Sequence, residues 1–142
     1  MFYKLRNTAS LKQIEQELNT PFAYPKLYRP IKVLNGFKEV SVPIITMEKP
    51  KVIDFSIWEL LPTDFEESWA VFQNISNTLN VDIQNINEKD PFLSEALNKR
   101  RCLIIVSGFY TTYISNGKIK SFHVGKLVLY YFPGWKLKGK ER

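Results

Sequence analysis

Cys102-Leu103-Ile104-Ile105-Val106 is an unbroken apolar run, and Ser115-Asn116-Gly117 follows it between Thr111–Ile114 and Lys118–Val124. A short continuous apolar run bounded by polar residues is the pattern of a strand covered on both faces. Asn-Gly supplies the two positive φ angles of a type I′ turn, so the segments on either side of it pair as a hairpin. Leu127–Phe132 reads as a further strand. A buried strand next to an antiparallel hairpin sets the sheet, and the rest of the chain is read outward from it.

Upstream, Ser10 with Gln13 three residues on is a capping box, and Leu11, Ile14 and Leu18 continue it at helical spacing until Asn19 and Pro21. Five prolines fall between residues 21 and 51, which predicts loop with short strands, Ile31–Val33 and Val40–Met47, turned by Asn35-Gly36. Val52–Leu60 alternates as a strand. Thr63 with Glu66 predicts a second capping box, opening a helix through Trp69, Phe72 and Ile75. Asp90-Pro91 predicts a third helix running to Lys99, with Leu93, Ala96 and Leu97 turned inward. Helices and strands interspersed irregularly predict an α+β fold with a mostly antiparallel sheet.

The chain has 142 residues, 44% of them hydrophobic and 14% aromatic, enough for one domain over 1–142 with a real core. No apolar run approaches the roughly 20 residues that span a bilayer, and no signal peptide is visible, so a cytoplasmic protein without a membrane partner is expected. Cys102 is the one cysteine, which excludes an internal disulfide, and its apolar setting predicts an inert core thiol. His123 is the one histidine and has no second imidazole to share a metal. Asp54, Glu59, Asp64, Glu66 and Glu67 show no diagnostic spacing, and Glu66 and Glu67 suit a helix N-terminus. The glycines form no phosphate loop. No metal and no cofactor are therefore expected.

Charge is distributed in blocks. Residues 1–51 carry nine basic and four acidic side chains, 52–98 one and nine, and 99–142 ten and one, with a basic tail over 134–142. Such a split fits either a polyanion face or opposite charges meeting on folding. For the first, Lys4, Arg6, Arg100, Arg101, Lys118 and Lys120 are the candidate phosphate contacts, with Trp58, Tyr110 or Tyr113 as stacking surfaces.

Three segments in order resemble the SRAP (SOS response associated peptidase) domain. Trp58-Glu59-Leu60-Leu61-Pro62 is similar to that family's Trp-Gly-Leu-Ile-Pro. Asn80-Val81-Asp82-Ile83-Gln84 is similar to Asn-Ala-Arg-x-Glu. Arg100-Arg101-Cys102-Leu103-Ile104 with Gly108-Phe109-Tyr110 resembles Arg-Cys-Leu-x-Pro-x-x-Gly-Phe-Tyr-Glu-Trp, and Pro91 to Leu97 resembles the helix before it. The resemblance implies a curved, mostly antiparallel sheet with flanking helices, here without the family's C-terminal part. It implies single-stranded DNA as ligand and, in active members, covalent capture of abasic sites by an N-terminal cysteine, supported by an asparagine, a glutamate and a late histidine.

Carried over residue by residue, Phe2 stands at the cysteine position, and a phenyl ring has no thiol to close a thiazolidine. Asn80 matches the asparagine. Asp82 replaces an arginine, Gln84 the motif's glutamate, and Thr111 the catalytic glutamate; His123 does not correspond to the histidine. Residues that act as a unit fail as a unit, so the expectation is a catalytically inactive relative with no catalytic residues. Two roles follow: a non-covalent module for single-stranded or damaged DNA, or a protein-interaction or regulatory module, for example a phage or mobile-element inhibitor that has remade the DNA groove. A residual enzyme using Cys102 is a third. An exposed sheet edge allows a monomer or a homodimer.

Overall fold

The computed structural model describes residues 3–62, 64–76, 78–79 and 91–132, with side chains as far as 125. Its strands are β1 (Lys4–Asn7), β2 (Ile31–Asn35), β3 (Ser41–Thr46), β4 (Asp54–Ile57), β5 (Cys102–Ser115) and β6 (Lys118–Phe132). Its helices are α1 (Leu11–Leu18), α2 (Trp69–Ile75) and α3 (Pro91–Lys99), with a 3₁₀ turn at Pro25–Leu27. The strands form one antiparallel, curved sheet, as the α+β reading expects.

The hairpin organises everything else. Asn116 and Gly117 take φ of 52° and 69°, the left-handed pair that the Asn-Gly turn requires. The ladder then runs from Ser115↔Lys118 back to Cys102↔Phe132. The expected separate strands 102–106 and 111–114 are one strand, as are 118–124 and 127–132. Ser107-Gly108 and Gly125 look like breaks in sequence, but the chain passes them as a register shift between Val106 and Gly108 rather than leaving the sheet.

β5 pairs with three strands. β6 takes one edge along nearly its whole length. β1 pairs with Gly108–Tyr110 and β3 with Cys102–Ile104, so both must share the other edge, end to end. β2 is hydrogen-bonded to β1 and β4 to β3. On that edge, between the two ribbons, neither β1 nor β3 pairs with Ile105–Ser107, and side chains take over that backbone. Asn7 Nδ2 donates to Ile105 O at 2.8 Å, Thr8 N donates to Ser107 Oγ at 2.9 Å, and Ser107 Oγ donates to Arg6 O at 3.2 Å. The wedge between the ribbons holds a cavity of about 320 Å³ lined by Asn7, Tyr28, Ile31, Leu34, Pro43 and Phe55 among others.

Both faces of the sheet are covered, which is why the apolar run at β5 does not alternate. Ile105 faces Ile14 of α1 with Phe22, Tyr28 and Ile53. Ile104, Val106 and Cys102 face the other way, toward Ala96 of α3 with Trp58, Leu60 and Leu79. α1 starts at the expected capping box, with Gln13 N bonded to Ser10 Oγ and Ser10 N to Gln13 Oε1, and ends on Asn19 in the left-handed region. At eight residues it is too short to persist alone, and the packed Ile14 holds it.

Two expectations shift. The strand read over Val52–Leu60 is confined to Asp54–Ile57, because Ile53 instead bridges to Phe22 in parallel and Trp58–Leu60 turns into the core. The helix expected from Thr63 and Glu66 begins at Trp69 with Ser68 as N-cap, so Glu66 and Glu67 precede it; Thr63 lies outside the described residues, as do Asp90 and the 134–142 tail. Among the described residues no helix is long and apolar enough to cross a membrane.

Candidate nucleic-acid interface

Directly paired residues in an antiparallel ladder project to the same face, and neighbours along a strand project to opposite faces. Counting back from the turn puts Lys118 opposite Ser115, Lys120 opposite Tyr113, Phe122 opposite Thr111 and Val124 opposite Phe109. These share one face. Tyr113 and Phe122 meet edge to face with centroids 5.4 Å apart, and both are exposed. The result is an aromatic pair with two exposed lysines toward the turn, Lys120 directly opposite Tyr113 and Lys118 one pair beyond. No acidic residue occurs between Glu95 and Glu141 to offset them.

Lys4 and Arg6 belong to the other face. Lys4 pairs with Tyr110 and Arg6 with Gly108, and Tyr110 in turn pairs with His123. The Tyr110 ring lies 5.3 Å from the imidazole, and its hydroxyl donates to Lys32 O at 3.1 Å. The single groove expected from the candidate residues is therefore two surfaces on opposite sides of the hairpin.

Two candidates are withdrawn by burial. Trp58 is 1% exposed in the core beneath α3, so it offers no ring to a base. The Arg100 side chain is 6% exposed. Its Nη1 donates to Leu61 O at 2.9 Å, its guanidinium lies 5.7 Å from the Phe92 ring centroid, and Glu95 approaches Nη2 at 3.9 Å. Arg100 thus ties α3 to the Leu61 segment instead of reaching a phosphate. Arg101, next in line, is exposed. Phe2, Asn80, Asp82 and Gln84 lie outside the described residues. Thr111 is half-buried on β5 opposite Phe122. Cys102 is buried, and His123 is exposed on β6.

One participant escapes a reading by residue type. Phe122 completes the aromatic pair; its signal was present, since a two-residue turn fixes the register and hence its place beside Tyr113. Glu59 replaces the glycine of the resembled motif and is buried. Gln73 Nε2 donates to its Oε2 at 2.7 Å, and Thr78 N donates to Oε1 at 3.3 Å. Burial raises its pKa above the usual carboxylate range, and these hydrogen bonds offset part of the rise. The carboxylate fastens the Trp58–Leu60 segment to α2. Among the described residues no three His, Cys, Asp or Glu side chains gather as a metal site.

The comparisons agree with this architecture. A family model, SOS response associated peptidase (SRAP), matches residues 1–125. A crystal structure of a protein from Bacteroides thetaiotaomicron is similar, with a TM-score of 0.68 and 18% identity, over 85% of this chain and 53% of that one. At that identity the likeness is one of fold, and this chain spans about half of the neighbour's length. No curated protein matches the chain.

Proposed function

The chain belongs to the SRAP family, and from that premise we propose that it is a catalytically inactive member that holds single-stranded or damaged DNA without bonding to it. The observation that carries this reading is the hairpin face on which Tyr113 lies opposite Lys120, Phe122 follows Lys120 along the strand, and Lys118 stands one pair nearer the turn. An aromatic ring accepts any base, contributing about 1–3 kcal/mol per stacked base, while lysines neutralise phosphates without reading sequence. Lys4 and Arg101, both exposed, extend the basic surface.

The inactivity rests on chemistry. Aldehyde capture through a thiazolidine needs an amine and a thiol on one residue, and Phe2 supplies no sulfur. Thr111, at the position resembling the family's glutamate, has a hydroxyl that stays neutral near pH 7 and cannot stand in for a carboxylate as general acid or base.

Fluorescence anisotropy with a labelled single-stranded oligonucleotide tests the binding. Affinity should fall as salt rises, and replacing Lys118 and Lys120 together by alanine should lower the logarithmic salt slope by about 0.7 per lysine. An oligonucleotide carrying an abasic site should give no adduct that survives a denaturing gel. Absence of binding at low salt ends the DNA reading, and a stable adduct ends the claim of inactivity.

A further inference from the structure

The outer edge of β6 bears on a different kind of partner. In a two-residue hairpin the residues flanking the turn exchange both backbone hydrogen bonds, and the pattern alternates from there. Lys118, Lys120, Phe122 and Val124 therefore direct their backbone groups at β5. Ile119, Ser121, His123 and Gly125 direct theirs outward, and among the described residues no strand receives them. The side chains along this edge are also unusual for water. Ile119 and its cross-strand neighbour Ile114 are each 76% exposed, and Phe122 and Val124 are exposed too. A long edge with apolar side chains is a template for an added strand.

Charge selects among occupants. The chain from Ala96 to Lys140 contains no acidic residue, and Lys118 and Lys120 stand on either side of Ile119 along the edge. A second copy paired here would bring lysines toward lysines with no carboxylate on either strand. Like charges brought together across a ladder are destabilising. An incoming strand with glutamate or aspartate alternating with apolar residues meets both features at once.

We propose that the outer edge of β6 accepts, by strand addition, an extended segment of another polypeptide in which acidic and apolar residues alternate. Backbone groups of Ile119, Ser121, His123 and Gly125 form the new ladder. Ile119 offers apolar contact, and Lys118 and Lys120 set the charge preference. The backbone edge that forms the ladder is distinct from the rings of the stacking pair proposed for DNA, although Phe122 and the lysines border both.

The test uses the full chain and two blocked heptapeptides, one alternating glutamate with valine and one alternating lysine with valine. The acidic peptide should bind at least about tenfold more tightly, and its binding should slow amide exchange at Ile119, Ser121, His123 and Gly125. Ser121→Pro removes one outward N–H and leaves the β5 ladder its bonds. It should weaken the acidic peptide by about tenfold or more and leave oligonucleotide affinity unchanged, so this inference and the DNA reading fail separately. The pair Lys118→Glu and Lys120→Glu should invert the peptide preference, which keeps the test decisive if the proline variant misfolds. Equal binding of both peptides, protection away from β6, indifference to Ser121→Pro in a folded variant, or a homodimer that Ser121→Pro dissolves would each overturn the proposal.

Discussion

Replacing Asn7 by alanine should destabilise the protein far more than loss of a short polar side chain usually does. Asn7 is buried, and its Nδ2 donates to Ile105 O in the stretch of β5 that neither β1 nor β3 reaches. Its Oδ1 accepts from the Tyr28 hydroxyl at 3.3 Å, but that hydroxyl also donates to Ala9 O at 2.6 Å and keeps a partner when Asn7 is gone. The carbonyl of Ile105 does not. The lost bond is worth about 1 kcal/mol net, and an orphaned buried carbonyl adds about 1–3 kcal/mol, so a total near 2–4 kcal/mol is expected. Equilibrium unfolding in urea, with an unchanged slope, measures it. Asn7→Asp sharpens the test, because a carboxylate at this place cannot donate while ionised. Facing a carbonyl, the introduced carboxyl group would have a raised pKa. Its protonated form is then favoured in the fold, so the variant should regain stability as pH falls through that pKa. A loss under about 0.5 kcal/mol for the alanine variant, or identical pH profiles for the two variants, would refute the claim that one side chain closes the gap in the sheet.

Other consequences can be checked more briefly. The nearest atoms to a Cβ at Gly125 are those of the His123 imidazole, whereas one at Gly108 would also meet the backbone carbonyl of Val124. Each alanine variant should lose about 1–3 kcal/mol in thermal or urea unfolding, and adding His123→Ala should restore Gly125→Ala but only part of Gly108→Ala. Glu59 has its folded pKa raised by burial, so the neutral form is the one the fold prefers. Its contribution is whole below the unfolded pKa and falls away as pH rises through the folded one. Glu59→Gln should therefore gain melting temperature over the parent as pH climbs from acid toward neutral, and a gap that does not change with pH would count against it. Truncating Trp58 to alanine should cost about 3–5 kcal/mol and reduce oligonucleotide binding only through unfolding, as a urea titration and an anisotropy titration on the same sample would separate.

The hairpin, α1 and α3 were legible because each has a local cause: Asn116-Gly117, the Ser10–Gln13 box, and Pro91 at a helix start followed by inward Ala96. What the sequence concealed was set at a distance. Nothing local says that β1 and β3 divide one edge of β5, because that depends on pairings about 60 and 100 residues apart. Candidate contacts chosen by side-chain type mixed exposed and buried groups. Trp58 has the same chemistry as a stacking platform, and only its place in the core cluster that includes Leu60, Leu79 and Ala96 removes it from solvent. Arg100 and Arg101 are adjacent and identical, yet the first turns under α3 and the second outward. Alternation does the same to Lys4 and Lys118, whose opposite faces follow from register rather than from charge.

The division of β5's edge also bears on how the molecule comes apart. The ribbon of β1 and β2 and the ribbon of β3 and β4 each hang from their own stretch of one long strand, and they meet across a wedge instead of a ladder. Neither needs the other's hydrogen bonds to stay attached. Partial unfolding can therefore proceed in pieces, one ribbon peeling away while the central hairpin holds, and slow amide exchange should fall into at least two cooperative groups whose border is the Asn7–Ser107 seam.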